Sequence, residues 1–319
     1  MEKHTDSVLA ANTTAKGKLK CHRCAECNGM GCPGMLPGLG GVYEGRNFQA
    51  NYRAWKELFA KALADGNEEK LQNQKLKPEL LMCGPVTGAQ ENIGYENEKD
   101  FYYPYLKNAA EAGFGLCVGD GCPDEKLKYG VEAVKQLAGG TKDLKGTKNI
   151  KAAFFLKPYP QEKLFERIEW VRPYAAFIGI DIDSYNIVTM RNLVHLERKT
   201  ASQLQEFRKV SGLPFVIKGV FTQDDLALVS EVQPDVVYIS NHGGRVETEE
   251  GSSGEFLAKN AAELKKHCGQ IWVDGGIRTA QDVKTALFYG ADKVIAARPL
   301  IRGTFDANYK EVAARLLGC

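Results

Sequence analysis

The chain has 319 residues, 44% hydrophobic and 26% charged, which supplies one large core and carries no signature of disorder. Its 42 basic and 40 acidic residues leave a formal charge of +2 scattered along the sequence, which excludes the basic footprint of a protein built for nucleic acid or an anionic membrane. No stretch approaches the ~20 apolar residues of a membrane span, and residues 1–20 hold no signal-peptide run, so a cytoplasmic protein acting on small molecules is expected.

The first feature in chain order is a cluster of cysteines. Of nine in the chain, four stand at Cys21-x-x-Cys24-x-x-Cys27-x4-Cys32-Pro33. In a reducing compartment such density points to metal or redox chemistry more than to disulfides. The spacing is close to that of iron–sulfur ligation without matching it. Four thiolates suit a structural zinc equally well, His22 adds a further ligand, and an arm without metal is the third alternative. A helix is expected over Asn51–Ala64, then a Lys/Gln/Asn-rich linker from Glu68 to Lys77. Residues 1–79 therefore read as a cysteine-rich arm, helix and linker ahead of a unit spanning 80–319.

From Leu80 onward, short apolar runs alternate with amphipathic stretches. The runs are Leu80–Cys83, Gly115–Val118, Ala152–Leu156, Ala175–Ile182, Phe215–Ile217, Asp235–Ile239, Ile271–Val273 and Lys293–Ala297. Near-continuous apolar strands are what a parallel sheet buried on both faces requires. Between them, helical spacing marks Glu125–Leu137, Gln161–Val171, Asp224–Val232 and Ala280–Phe288, with Ser202 and Thr279 as candidate N-caps and Gly290 past a helix end. Eight βα units in order predict an α/β fold, a closed (β/α)8 TIM barrel rather than an open doubly wound sheet.

That fold places chemistry at the C-terminal ends of the strands. Five strand ends carry polar or glycine-rich tails: 84–88, 119–121, 181–183, 240–245 and 274–278. The most informative is Ser240-Asn241-His242-Gly243-Gly244-Arg245, in which a histidine can take a proton near neutral pH and an arginine can pair with a carboxylate. Asp274-Gly275-Gly276-Ile277-Arg278, followed one strand later by Ala297-Arg298-Pro299, has the character of a phosphate site built on glycine loops and a helix N-terminus. Lys218, in Ile217-Lys218-Gly219, either faces the barrel mouth or is an ordinary exposed lysine.

The segment from Lys218 to Arg298, with Ile-Lys-Gly, Ser-Asn-His-Gly-Gly-Arg, Asp-Gly-Gly-Ile-Arg and Ala-Arg-Pro in order, resembles the FMN-dependent α-hydroxy-acid dehydrogenases and oxidases. The earlier half resembles them more loosely, through Gly84-Pro85-Val86-Thr87-Gly88 and Asp181-Ile182-Asp183, and the cysteine arm is similar to a branch found in anaerobic bacteria. The resemblance implies FMN as cofactor and oxidation of a small 2-hydroxy acid to the 2-oxo acid, with electrons leaving the flavin for an acceptor that the sequence does not identify. An FMN-dependent reductase or isomerase on the same barrel is the alternative. It further implies His242 as the base, Asp183 as its orienting carboxylate and Arg245 as the anchor for the substrate carboxylate. Pro85, Val86, Thr87, Lys218 and Ser240 would lie along the isoalloxazine, and Asp274, Gly275, Gly276, Arg278, Ala297 and Arg298 would hold the ribityl chain and phosphate. An iron–sulfur cluster on Cys21, Cys24, Cys27 and Cys32 would open an electron exit to an acceptor protein, whereas zinc there would be structural. A homo-oligomer is expected, with neither nucleic acid nor membrane as a partner.

This chain departs from the family in several places. The usual Gln-x-Tyr after the third strand is Leu156-Lys157-Pro158, and the threonine before the orienting aspartate is Asp181. The connection after the fourth strand is short, Ala297 replaces a glycine, and Arg191 lies near the place of a second substrate arginine.

Overall fold

The eight apolar runs form eight strands: β1 (Leu81–Cys83), β2 (Cys117–Gly119), β3 (Ala152–Leu156), β4 (Ala175–Asp181), β5 (Phe215–Val220), β6 (Val236–Ile239), β7 (Gln270–Val273) and β8 (Lys293–Ala296). In the computed structural model, which describes residues 45–140, 149–187, 194–246 and 248–319, all neighbours pair in parallel in the order β1-β8-β7-β6-β5-β4-β3-β2. Met82 in β1 bridges Gly115, just ahead of β2, and this contact closes the sheet on itself. The fold is the (β/α)8 barrel that the alternating pattern predicts. Cys21, His22, Cys24, Cys27, Cys32 and Arg191 lie outside the described residues.

Each strand is followed by a helix that covers the cylinder. The helices are α1 (Arg46–Ala64), α2 (Glu68–Gln72), α3 (Tyr102–Glu111), α4 (Glu125–Ala138), α5 (Gln161–Val171), α6 (Ala201–Ser211), α7 (Gln223–Val232), α8 (Ser253–Leu264), α9 (Ala280–Phe288), α10 (Arg298–Phe305) and α11 (Tyr309–Leu317). Two local expectations are corrected. The first helix begins five residues earlier than Asn51, and the stretch expected as linker contains the short helix α2. Ser202 does not cap its helix. Thr200 does, because it forms a reciprocal pair in which its hydroxyl accepts from Gln203 N while Gln203 Oε1 accepts from Thr200 N, leaving Ser202 inside the first turn. Thr279 caps α9 by the same device with Asp282.

Side-chain alternation along the strands creates two apolar layers. One set points into the cylinder and includes Ala153, Phe155, Val216, Tyr238, Trp272 and Ile295. Its aromatic rings meet edge to face, Phe155 on Tyr238 at 5.4 Å and Phe177 on Trp272 at 5.1 Å between centroids. The other set, with Phe154, Leu156, Ile178, Ile217 and Ile271, packs outward against the helices. The interior is thus a filled core, closed toward the N-terminal ends by contacts such as Trp272 Nε1 donating to Gln270 Oε1 and giving way to buried charged side chains at the C-terminal ends. Among the described residues no helix is long and apolar enough to cross a membrane.

Candidate active site

The inward positions next in line toward the mouth are Lys157 after β3, Asp181 at the end of β4 and Lys218 in β5, and all three are buried. Lys218 Nζ donates to Asp181 Oδ1 at 2.6 Å, and Lys157 Nζ donates to Asp181 Oδ2 at 2.8 Å. Burial opposes the charge on Asp181, yet the two ammonium groups outweigh it and hold the carboxyl well below the usual range. Lys218 loses from burial in the same way, and Asp181, Asp183 and Asp274 more than restore its proton. This places Lys218 at the mouth, which settles its two sequence readings in favour of the buried one.

Asp183 follows β4 and His242 follows β6. The imidazole Nδ1 lies 3.1 Å from Asp183 Oδ1 and 3.2 Å from Asp183 Oδ2. Burial and then the nearby Lys218 keep the imidazole well below its ordinary value, with Asp181 acting the other way. Burial, reinforced by the adjacent Asp181, pushes Asp183 upward. His242 adopts a left-handed backbone, φ 57°, which is strained for a residue with a side chain and is held by its neighbours. Its N–H donates to Ser240 Oγ at 3.1 Å, and Arg245 Nη1 donates back to its carbonyl at 3.4 Å. Gly219 has φ 94°, and a Cβ there would lie 2.6 Å from Asp183 Cγ, so glycine is the residue that lets Asp183 stand beside β5.

Helix α1 braces this loop with one face. Asn47 Nδ2 donates to the carbonyls of Val246 and Glu249, and Asn47 Oδ1 accepts from Gly251 N. One turn on, Asn51 and Asn241 exchange amide hydrogen bonds of 2.7 and 3.1 Å, and Asn51 also accepts from Ser253 N at 2.9 Å. A further turn on, Trp55 Nε1 donates to Gly275 O at 2.7 Å. The glycine pairs read from sequence as openings for a ligand therefore also serve this helix. A Cβ on Gly244 would lie 2.4 Å from Phe48 N, and one on Gly276 would lie 2.0 Å from Asn51 O.

After β8, the Arg298 guanidinium lies 4.8 Å from the Phe48 ring centroid, and a Cβ on Gly243 would come within 3.3 Å of its Nη1. Arg278 Nη1 donates to Ile277 O at 2.9 Å, so the positive group folds back over its own loop. Asp274 Oδ2 accepts from Tyr238 at 2.8 Å. Its Oδ1 and the Arg245 Nε are buried without a hydrogen-bond partner among the described residues. The loop 84–88 crosses from β8 to β2: a Cβ on Gly84 would meet Ala297 Cβ at 2.6 Å, and one on Gly119 would meet Pro85 O at 2.7 Å.

The residues predicted from sequence at His242, Asp183, Arg245, Lys218, Ser240 and Asp274 thus converge on one mouth, with Pro85–Thr87, Gly275, Gly276, Arg278, Ala297 and Arg298 along its rim. Lys157 and Asp181 were legible only as departures, and Asn51 carried no signal as a site residue. Strand parity finds the first of them: Ala153 and Phe155 point inward, so Lys157 does too.

A family model described as FMN-dependent dehydrogenase matches residues 150–316. A 2-hydroxyacid oxidase 2 of Bos taurus is 36% identical over 100 residues, 31% of this chain and 28% of that protein. An L-lactate dehydrogenase (cytochrome) of Saccharomyces cerevisiae is 36% identical over 124 residues, 37% of this chain and 21% of that protein. The matched segment therefore spans less than a third of the length of these relatives. A solved structure of a mandelate oxidase variant superposes with a TM-score of 0.62 at 18% identity, covering 86% of this chain and 84% of that one, a likeness of fold.

Proposed function

The chain belongs to the FMN-dependent dehydrogenase family, and on that premise we propose that it oxidises a small 2-hydroxy acid to the corresponding 2-oxo acid. The observation that carries the reading is the contact between His242 Nδ1 and the Asp183 carboxylate beside Arg245, at the end of the barrel where this fold does its chemistry.

The residues present suit FMN by their chemistry. Asp274 Oδ1 and Arg245 Nε are buried polar atoms in need of partners, Lys218 offers a positive charge at the ring end, and Arg278 and Arg298 offer two at the phosphate end. Pro85, Val86, Thr87, Ser240, Gly275, Gly276 and Ala297 supply the surrounding backbone. When bound, FMN supplies the acceptor for the two electrons that leave with the C2 hydrogen of the substrate. The chain's own part is the proton. Arg245 pairs with the substrate carboxylate and fixes which way the C2 hydroxyl points. His242 takes the hydroxyl proton as C2 becomes a carbonyl carbon, and Asp183 holds the imidazole by its Nδ1 so that Nε2 faces the substrate. Arg191 is proposed as a second contact to the carboxylate.

The test is spectroscopic. The purified protein should carry a flavin spectrum that bleaches on anaerobic addition of a 2-hydroxy acid, and His242→Ala should retain flavin while bleaching falls by about 10²–10⁴-fold. A flavin that no member of a hydroxy-acid panel bleaches, yet that turns over with a reduced electron donor, would replace this reading with a reductase or isomerase. Cys21, Cys24, Cys27 and Cys32 are proposed to hold either an iron–sulfur cluster, which would pass electrons to an acceptor protein, or a zinc ion, which would be structural. Less than half an equivalent of both metals after anaerobic purification rules that out.

A further inference from the structure

The proton transfer assigned to His242 needs one carboxylate, and Asp183 supplies it. The structure nevertheless buries a second carboxylate, Asp181 at 4% exposure, and a lysine that the family pattern lacks, Lys157 at 6% exposure. Without Asp181, Lys157 would be a buried charge with no ion-pair partner in contact. They lie on different strands, 24 positions apart, and meet at 2.8 Å. Asp181 is also the junction of the site: its Oδ1 accepts from Lys218 and lies 3.6 Å from His242 Nδ1. Lys157 is fixed from behind, because its backbone N–H donates to Asp120 Oδ2 at 3.2 Å and Asp120 is itself paired with the fully buried Arg167 at 3.0 Å. The pair is therefore built into the barrel wall.

We propose that Lys157 and Asp181 are positioning residues, a charge-balanced pair that keeps the imidazole of His242 on Asp183 and governs how readily it takes up a proton. The inference rests on the reading of His242 as the base. The charged groups facing this imidazole are Lys157 beyond β3, Asp181 and Asp183 from β4, Lys218 from β5, Asp274 from β7 and Arg245 from its own loop, while Arg298 of α10 lies against the neighbouring Gly243. Within that set, Asp181 favours the imidazolium and Lys157 opposes it. Their influences on the proton oppose each other while both are present, and removing one leaves the other without that counterweight.

The experiment is a titration of the histidine side chains by NMR in the full chain, without flavin, with His242→Ala used to assign its signal among the five histidines. Lys157→Met should raise the imidazolium fraction of His242 about tenfold, a shift of about one pH unit, and Asp181→Asn should lower it by a similar factor. The double variant should lie between the two. A merely structural role moves both single variants the same way or neither. If Lys157→Met leaves the imidazole neutral wherever the wild type is neutral, or if both single variants shift together, the proposal is overturned. Lys157→Gln repeats the test should Lys157→Met fail to fold. Because no flavin or substrate is present, the titration decides this inference separately from the hydroxy-acid oxidation, which the bleaching experiment decides.

Discussion

At the scale of single residues, the site works by setting burial against nearby charge. Burial drives His242 toward its neutral form, and Lys218 adds to the effect. The acceptor form is therefore already present in the range where an unperturbed histidine, near ~6.5, would be half protonated. It follows that kcat/KM should fall on the acid side along a limb centred below that value and stay level above it, because only protonation removes the acceptor. A limb centred above the ordinary histidine range would show that the positive neighbours do not act as described. Gly219 gives a second expectation. With φ 94° and the Asp183 Cγ only 2.6 Å from where a Cβ would stand, Gly219→Ala must both strain the chain and displace the orienting group. The expected loss of stability is about 1–3 kcal/mol in urea unfolding, with a larger fall in kcat than in KM. Of these residues, His242, Asp183 and Arg245 were readable because their motif is contiguous or adjoins a strand end. The Lys157–Asp181 contact was not, since two strands must be in register before the residues meet.

At the scale of elements, helix α1 carries the weight that sequence reading gave to loops. Its residues 47, 51 and 55 recur every four positions and line one face, and that face carries hydrogen bonds to Asn241, Val246, Glu249, Gly251 and Ser253 and, from Trp55, to Gly275. Asn51→Ala would leave the Ser253 N–H and the Asn241 side chain short of partners in a buried place. A cost of about 1–3 kcal/mol is expected from that alone, measurable by denaturant unfolding, together with weaker flavin retention because the His242 loop loses its brace. Unchanged stability and flavin content would mean that the helix merely covers the loop. The spacing of a helix over this region was visible in the sequence. Its role was not, because asparagines at helical spacing look like an ordinary solvated face until the partner loop, some 190 residues away, is folded against them.

For the molecule as a whole, the barrel was legible from the alternation of apolar runs with amphipathic stretches, since a parallel sheet covered on both sides leaves no other periodicity. Strand ends moved by up to three residues, as at β5, which runs on through Lys218 to Val220 where the apolar run stops at Ile217. Hydrogen bonding to neighbours, not hydropathy, decides where pairing stops. The same ladder is uneven around its circumference. Between β3 and β4 five residue pairs are matched, four of them in unbroken register from Ala153 to Leu156, whereas β1 and β2 are joined at Met82 and Gly115, with Cys83 N donating to Gly115 O and Gly115 N to Leu81 O. The rung above is weaker still, because Cys117 N finds the Cys83 sulfur at 3.4 Å instead of a carbonyl. Deuterium should therefore enter the amides of Cys83, Gly115 and Cys117 well before those of Ile178 and Ile180, and equal protection would contradict this view of the ladder. Loop 84–88 leaves directly from that seam and rests on Gly119. A cylinder that parts first along this line would swing one wall of the mouth outward while the opposite wall, with His242 and Lys218, stays shut. Entry and exit of a bulky planar guest would then need only a hinged stave, and not the melting of the barrel.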